Sequence, residues 1–135
     1  KGTKPVPAKG EKFYLTTAIN YTNGTPHMRH AYEAITSDVI CRYHRAYGRN
    51  VYFLTGTDDH GQKIAETAAK QDTHVRPIDI CDKYVAEFQA LNKALSISND
   101  GYIRTTNPDH ERVTQQLWKR CLEKGDIYLD RYTGY

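Results

Sequence analysis

Val51-Tyr52-Phe53-Leu54-Thr55 runs directly into Gly56-Thr57-Asp58-Asp59-His60-Gly61-Gln62-Lys63. The first five residues form a short, continuous β-rich run, as expected of a strand buried on both faces of a parallel sheet. The next eight carry two glycines, paired carboxylates and a histidine into a helical pattern from about Gly61 to Gln71. The stretch therefore reads as strand, turn and helix. In an open α/β sheet such turns lie at the carboxyl ends of the strands, where ligands bind.

The same plan stands upstream. Phe13-Tyr14-Leu15-Thr16-Thr17-Ala18-Ile19 predicts a strand, and Asn20-Tyr21-Thr22-Asn23-Gly24-Thr25-Pro26 is a turn cluster. From about His27 to Tyr47 the apolar positions Ala31, Ile35, Val39 and Tyr43 recur every four residues. Gly48 stands at the C-cap, which predicts a helix of several turns. Downstream, Pro77 opens a helix with the stripe Ile80, Tyr84, Phe88, Leu91 and Leu95. Asn107-Pro108 opens another, with Val113, Leu117 and Cys121 on one face and Gly125 closing it. Ile127 to Tyr132 predicts a last strand. Alternating strands and helices imply an α/β fold with a parallel sheet and crossover helices. A doubly wound domain has about five or six strands, so this chain reads as the first half of a Rossmann-like doubly wound sheet. There is no internal repeat.

At 135 residues the chain suffices for one compact domain, and 39% hydrophobic with 26% charged residues is a globular balance. No apolar run approaches the ~20 residues of a membrane helix, so no membrane partner is expected. The net charge of +3 permits a nucleic-acid partner without arguing for one, since no basic cluster follows the first dozen residues. Cys41, Cys81 and Cys121 form no C-x-x-C pair, which argues against a zinc knuckle and a disulfide framework. Each falls in a predicted helix and reads as a small apolar residue. A reducing compartment follows: the cytoplasm, with an organelle as the alternative. Residues 1–12, rich in Lys, Pro and Gly, read as a disordered lead-in that is neither signal nor transit peptide.

Neither G-x-x-x-x-G-K-[ST] nor G-x-G-x-x-G occurs. The first turn carries instead His27 and His30, three apart at the start of a helix. That spacing puts both imidazoles on one face, beside the positive potential and free N–H groups of the helix N-terminus, and suits polyphosphate. Taken alone, the pair reads equally as two surface histidines near a cap or as an H-x-x-H metal-ligand pair.

The context narrows this. Pro26-His27-Met28-Arg29-His30 after Asn23-Gly24-Thr25, with Ala31-Tyr32-Glu33 following and Gly56-Thr57-Asp58-Asp59-His60-Gly61 one strand later, resembles the class I aminoacyl-tRNA synthetases. The second motif points to the methionyl type. The likeness runs from about Phe13 to Gln71, with an echo in Tyr102 to Pro108 and in Lys124 to Tyr128. It implies an ATP site formed by His27, His30, Arg29 and Gly24, with His27 and His30 as the catalytic donors to phosphate. It also implies a methionine pocket on Ala18, Ile19 and Tyr21, and Asp58 as the carboxylate for the substrate ammonium. Asp59 reads as a helix-entry residue or a support for its neighbour. Residues 13–126 would be the N-terminal part of the catalytic domain and 127–135 the start of the connective insert. The whole enzyme would use ATP, Mg2+, L-methionine and tRNA(Met). The family's Lys-Met-Ser-Lys-Ser loop, zinc-binding insert and anticodon-binding domain do not occur in these residues, so the chain alone is expected to be inactive, with no metal site of its own.

Arg29 departs from the pattern, standing where the family's His-Ile-Gly-His motif has glycine. Its side chain would block the adenine face, turn to solvent or stack on the base. Three rivals follow: another class I synthetase (for Leu, Ile, Val or Cys), a small-molecule nucleotidyltransferase, and a degenerate, non-catalytic synthetase-like binding module.

Overall fold

The computed structural model describes residues 9–71, 75–131 and 133. The elements in order are β1 (Lys12–Thr16), β2 (Asn20–Tyr21), α1 (Met28–Ala46), β3 (Asn50–Asp58), α2 (Gln62–Gln71), α3 (Pro77–Ala94), β4 (Gly101–Arg104) and α4 (Pro108–Glu123). Every pairing is parallel and every strand pairs with β3. Leu54 faces both Thr16 and Gly101, and Thr57 faces both Asn20 and Arg104. One edge of β3 therefore carries β1 and β2, and the other carries β4.

The predicted strand from Phe13 to Ile19 is broken. Thr16 pairs with Leu54 but Asn20 with Thr57, so four residues on the edge run against three on β3. The extra residue makes a bulge. Thr17 stays on the sheet through its N–H to the Leu54 carbonyl (3.2 Å) and its hydroxyl to that of Thr55 (2.7 Å). Ala18 and Ile19 leave the sheet, and Asn20 and Tyr21 return as β2.

The path from β1 to β3 to β4 advances in one direction, so right-handed crossovers put α1 and the α2–α3 pair on the same face. Cys41 of α1 packs on Val51 and Phe53 of β3, with Phe13 and Leu15 of β1 beside them. Ile64 and Ala68 of α2 close on Ile80 and Cys81 of α3 in a second cluster. The expectation that Val51 to Thr55 is buried on both faces is not met. Val51, Phe53 and Thr55 are buried, but Tyr52 is half exposed and stacks on exposed Tyr14 with ring centroids 5.9 Å apart. Helices that advance one way cover only one face.

The apolar stripe of α1 is also turned outward: Ile35, Val39 and Tyr43 are exposed, while Asp38 and Cys41 are buried. Polar contacts set this rotation. Asp38 accepts from the Ser98 N–H (2.8 Å) and hydroxyl, and Arg42 pairs with its other oxygen. Arg45 donates to the Ser98 carbonyl (3.1 Å) and pairs with Asp100 (2.7 Å). Burial alone would raise the Asp38 carboxyl. The bonds from Ser98 and Arg42 outweigh it and hold the group below the ordinary carboxylate range.

The helix starts and stops hold well. Gly48 follows α1 at φ +82°, Pro77 is the first residue of α3, and Asn107 caps α4 by accepting the Asp109 N–H at 2.8 Å. Cys41 and Cys81 are buried as small apolar residues, and Cys121 is half buried. The order of elements differs from expectation in two further places. Gly101 to Arg104 is a strand that the sequence did not announce, and no strand forms over 127–131. Tyr132 lies outside the described residues, as do residues 1–8 of the lead-in; Lys12 is already in β1. No described helix is long and apolar enough to cross a membrane.

Candidate functional site

The bulge and the α1 N-terminus meet at the carboxyl edge of the sheet. Glu33, one turn into α1, accepts the Ala18 N–H at 3.0 Å and so pins the bulge to the helix. Between them lies a cleft of about 370 Å³ lined by Ala18, Ile19, Tyr21, Gly24, His27, Arg29, His30 and Glu33. Seven residues singled out in the sequence thus share one cavity. Arg29 is exposed at its rim. A second cleft of about 500 Å³ adjoins it through Tyr21 and Asn23 and is bounded by His60, Gln62 and Lys63.

The two histidines cap the helix themselves. The His27 N–H donates to His30 Nδ1 (3.1 Å), and the Arg29 N–H donates to His27 Nδ1 (3.4 Å). The rings are 4.1 Å apart. The free N–H groups expected at this terminus are therefore partly spent on imidazole. With both Nδ1 atoms accepting, each neutral ring carries its proton on Nε2 and offers that N–H as a donor. His30 also packs edge-on against Phe88 of α3, ring centroids 5.0 Å apart.

Burial pushes the His30 imidazole below its usual 6.5, and the charges of His27 and Arg29 push the same way against Glu33. A base whose folded pKa is depressed binds fewer protons folded than unfolded. Stability contributed by neutral His30 is thus present above 6.5 and lost as pH falls below it. Protonation also removes the Nδ1 acceptor from the cap. Thermal unfolding from pH 7.5 down to 5.5 should show a falling Tm, with a shallower fall in His30→Gln. Parallel curves would contradict this role for His30.

Asp58 is not part of the cleft lining. It ends β3 opposite Tyr21 of β2, so its side chain shares a sheet face with that tyrosine, which borders both cavities. Asp58 Oδ1 accepts the His60 N–H (3.2 Å) and the Thr105 hydroxyl (3.3 Å). Asp59 turns to the other face. Its fully buried carboxylate meets Arg104 Nε at 2.7 Å and the Thr106 hydroxyl at 2.8 Å, and Arg104 reaches on to Asp82 of α3 at 2.7 Å.

The sequence model described as tRNA synthetases class I (M) matches residues 13–135. The chain belongs to this family. It is 48% identical over 123 residues to the methionine–tRNA ligase of Rhizobium meliloti (strain 1021), covering 91% of this chain and 23% of that protein. It is 42% identical over 130 residues to the Bacillus subtilis (strain 168) methionine–tRNA ligase, covering 96% of this chain and 19% of that one. The structure aligns with Mycobacterium tuberculosis methionyl-tRNA synthetase in complex with methionyl-adenylate at a TM-score of 0.87 and 45% identity, over 92% of this chain and 24% of that one. The chain thus spans under a quarter of the length of these relatives. A class I (M) synthetase domain is Rossmann-like, and the parallel sheet with its crossover helices is that fold.

Sequence reasoning missed three features of this class I domain. Glu33 appeared only as part of the motif context, yet it ties the bulge to α1. Arg104 and Thr105 appeared only in the downstream echo, yet they reach the Asp58-Asp59 pair from β4 and the residue after it. No spacing within one element signals a contact between residues 45 to 47 positions apart.

Proposed function

We propose that this chain is the ATP- and methionine-binding part of a methionine–tRNA ligase, which activates L-methionine with ATP to methionyl-adenylate and transfers it to tRNA(Met). The observation that carries this is the single cleft at the carboxyl edge of a parallel sheet, where Ala18, Ile19 and Tyr21 meet His27, Arg29 and His30, with Asp58 next to Tyr21. Adenylate formation is in-line attack of the amino-acid carboxylate on the ATP α-phosphorus, with pyrophosphate leaving. Placement and charge stabilisation carry such a step.

Each residue then has a part. The Nε2–H groups of His27 and His30 donate to phosphate oxygens, and Gly24 leaves the turn open beside them. Ile19 and Tyr21 hold the thioether chain, Ala18 its backbone side, and Asp58 the ammonium. Among the described residues no three His, Cys, Asp or Glu side chains gather to hold a metal ion. Mg2+ enters bound to ATP as part of the substrate complex, and zinc is assigned to the family's insert. In this reading residues 13–126 are the N-terminal part of the Rossmann-like catalytic domain and 127–135 the start of the connective insert. The setting is the translation machinery of the cytoplasm, or of an organelle, with no membrane partner. tRNA(Met) is the partner of the full-length protein.

The test is methionine-dependent ATP–pyrophosphate exchange by the full-length protein, with Arg29 and with Arg29→Gly. Substantial exchange is expected in both, since Arg29 at the rim has room to turn outward, and His27→Ala should lower it by about a hundred-fold. Exchange in the Gly form alone would mean that Arg29 disables this version. Exchange in neither would favour a non-catalytic binding module.

A further inference from the structure

We infer that Thr105 is a positioning residue for the amino-acid ammonium site, its hydroxyl holding the Asp58 carboxylate in place; this rests on the reading that Asp58 receives the ammonium. Thr105 is 8% exposed and follows directly on β4. Its backbone N–H donates to the Thr57 carbonyl at 3.2 Å, which fixes it across from Asp58. Its Oγ1 accepts the Asp59 N–H at 2.8 Å and lies 3.3 Å from Asp58 Oδ1. A hydroxyl has one proton, and an ionised carboxylate only accepts. With the Asp59 N–H already donating to Oγ1, the Thr105 proton goes to Asp58.

The orientation of Asp58 follows. Thr105 and the His60 N–H both bind Oδ1, the latter at 3.2 Å, which leaves Oδ2 for a ligand. The clamp cannot easily shift, because the residues on either side of Thr105 grip the buried neighbour. Arg104 Nε and the Thr106 hydroxyl meet Asp59 Oδ2 at 2.7 and 2.8 Å. Three consecutive residues thus hold two consecutive aspartates from the opposite edge of the sheet. A carboxylate fixed before the ligand arrives loses no rotamer freedom on binding it. Threonine here acts through Asp58 and touches no substrate.

The full-length protein is assayed by ATP–pyrophosphate exchange as wild type, Thr105→Val, Thr105→Ser and Asp58→Asn, with a thermal melt of each. Thr105→Val should raise KM for methionine about ten-fold, the loss of roughly one charge-assisted hydrogen bond. KM for ATP should stay within about two-fold, and Thr105→Ser should restore the methionine KM. Inhibition by a methionine analogue lacking the α-amino group should be unchanged in Thr105→Val, which a merely structural role would not preserve. Where valine disrupts the fold, Thr105→Ala makes the same comparison. A normal methionine KM in Thr105→Val, with a raised one in Asp58→Asn, would overturn the inference and leave the ammonium reading standing. A parallel rise for ATP or loss of analogue inhibition would also overturn it. An unchanged methionine KM in Asp58→Asn would overturn the ammonium reading, and this inference with it.

Discussion

Gly56→Ala is expected to destabilise the domain by about 3 kcal/mol, the upper end of what overpacking costs. A Cβ on Gly56 would stand 2.1 Å from the Ile103 carbonyl oxygen and 2.6 Å from Ile103 Cγ2. The obstacle is the backbone of the neighbouring strand and cannot rotate away. Relief requires β3 and β4 to separate where Thr55, Gly56 and Thr57 pair with Tyr102, Ile103 and Arg104. The damage should therefore spread to Thr105 and Asp58. Gly24→Ala is the matched control: a Cβ there meets nothing within 4 Å, so its effect on stability should stay within about 0.5 kcal/mol. Denaturant unfolding of the two variants checks the contrast, and equal midpoints would show that the strands do not approach as described.

Asp59→Ala should cost a similar amount, about 3 kcal/mol, for an electrostatic reason. The Asp59 side chain is fully buried and that of Arg104 is 28% exposed. Removing one member of a buried pair leaves the other charge without compensation, which costs about 3–5 kcal/mol. The lower figure applies because Arg104 keeps Asp82 as a second partner at 2.7 Å. Arg104→Ala should be at least as damaging, since among the described residues it leaves the buried carboxylate only the Thr106 hydroxyl as a side-chain donor. The double variant should then be less destabilised than the sum of the two. Additive losses in urea unfolding would mean that the two charges do not compensate each other.

Much of this was legible in the sequence wherever a local cause sufficed. Pro77, Asn107-Pro108 and Gly48 act through their own backbone and side chains, so the helix limits they announced are those observed. The turn at His27 to His30 and the turn at Asp58 lie at strand ends because each follows a β-rich run. What failed was whatever depends on a distant partner. The strand Gly101 to Arg104 has no apolar run of its own and exists because Gly56 lets β3 come close. The stripe on α1 announced a helix but not its facing, which hydrogen bonds to Ser98 and an ion pair to Asp100 set.

The sequence by itself determined the α/β alternation and the two turns, while the roles of the residues on them were implied only by the family resemblance. The alternation and the turns follow from propensity, capping and motif, which act over a few residues. Only the tertiary structure decided that the first strand breaks at Ala18, that the histidines cap their own helix and present Nε2, and that Asp58 lies beside Tyr21 and accepts the Thr105 hydroxyl. Those outcomes depend on register and on contacts between segments that the chain order keeps apart, and a hydrogen bond exists only where packing has already brought both partners within reach.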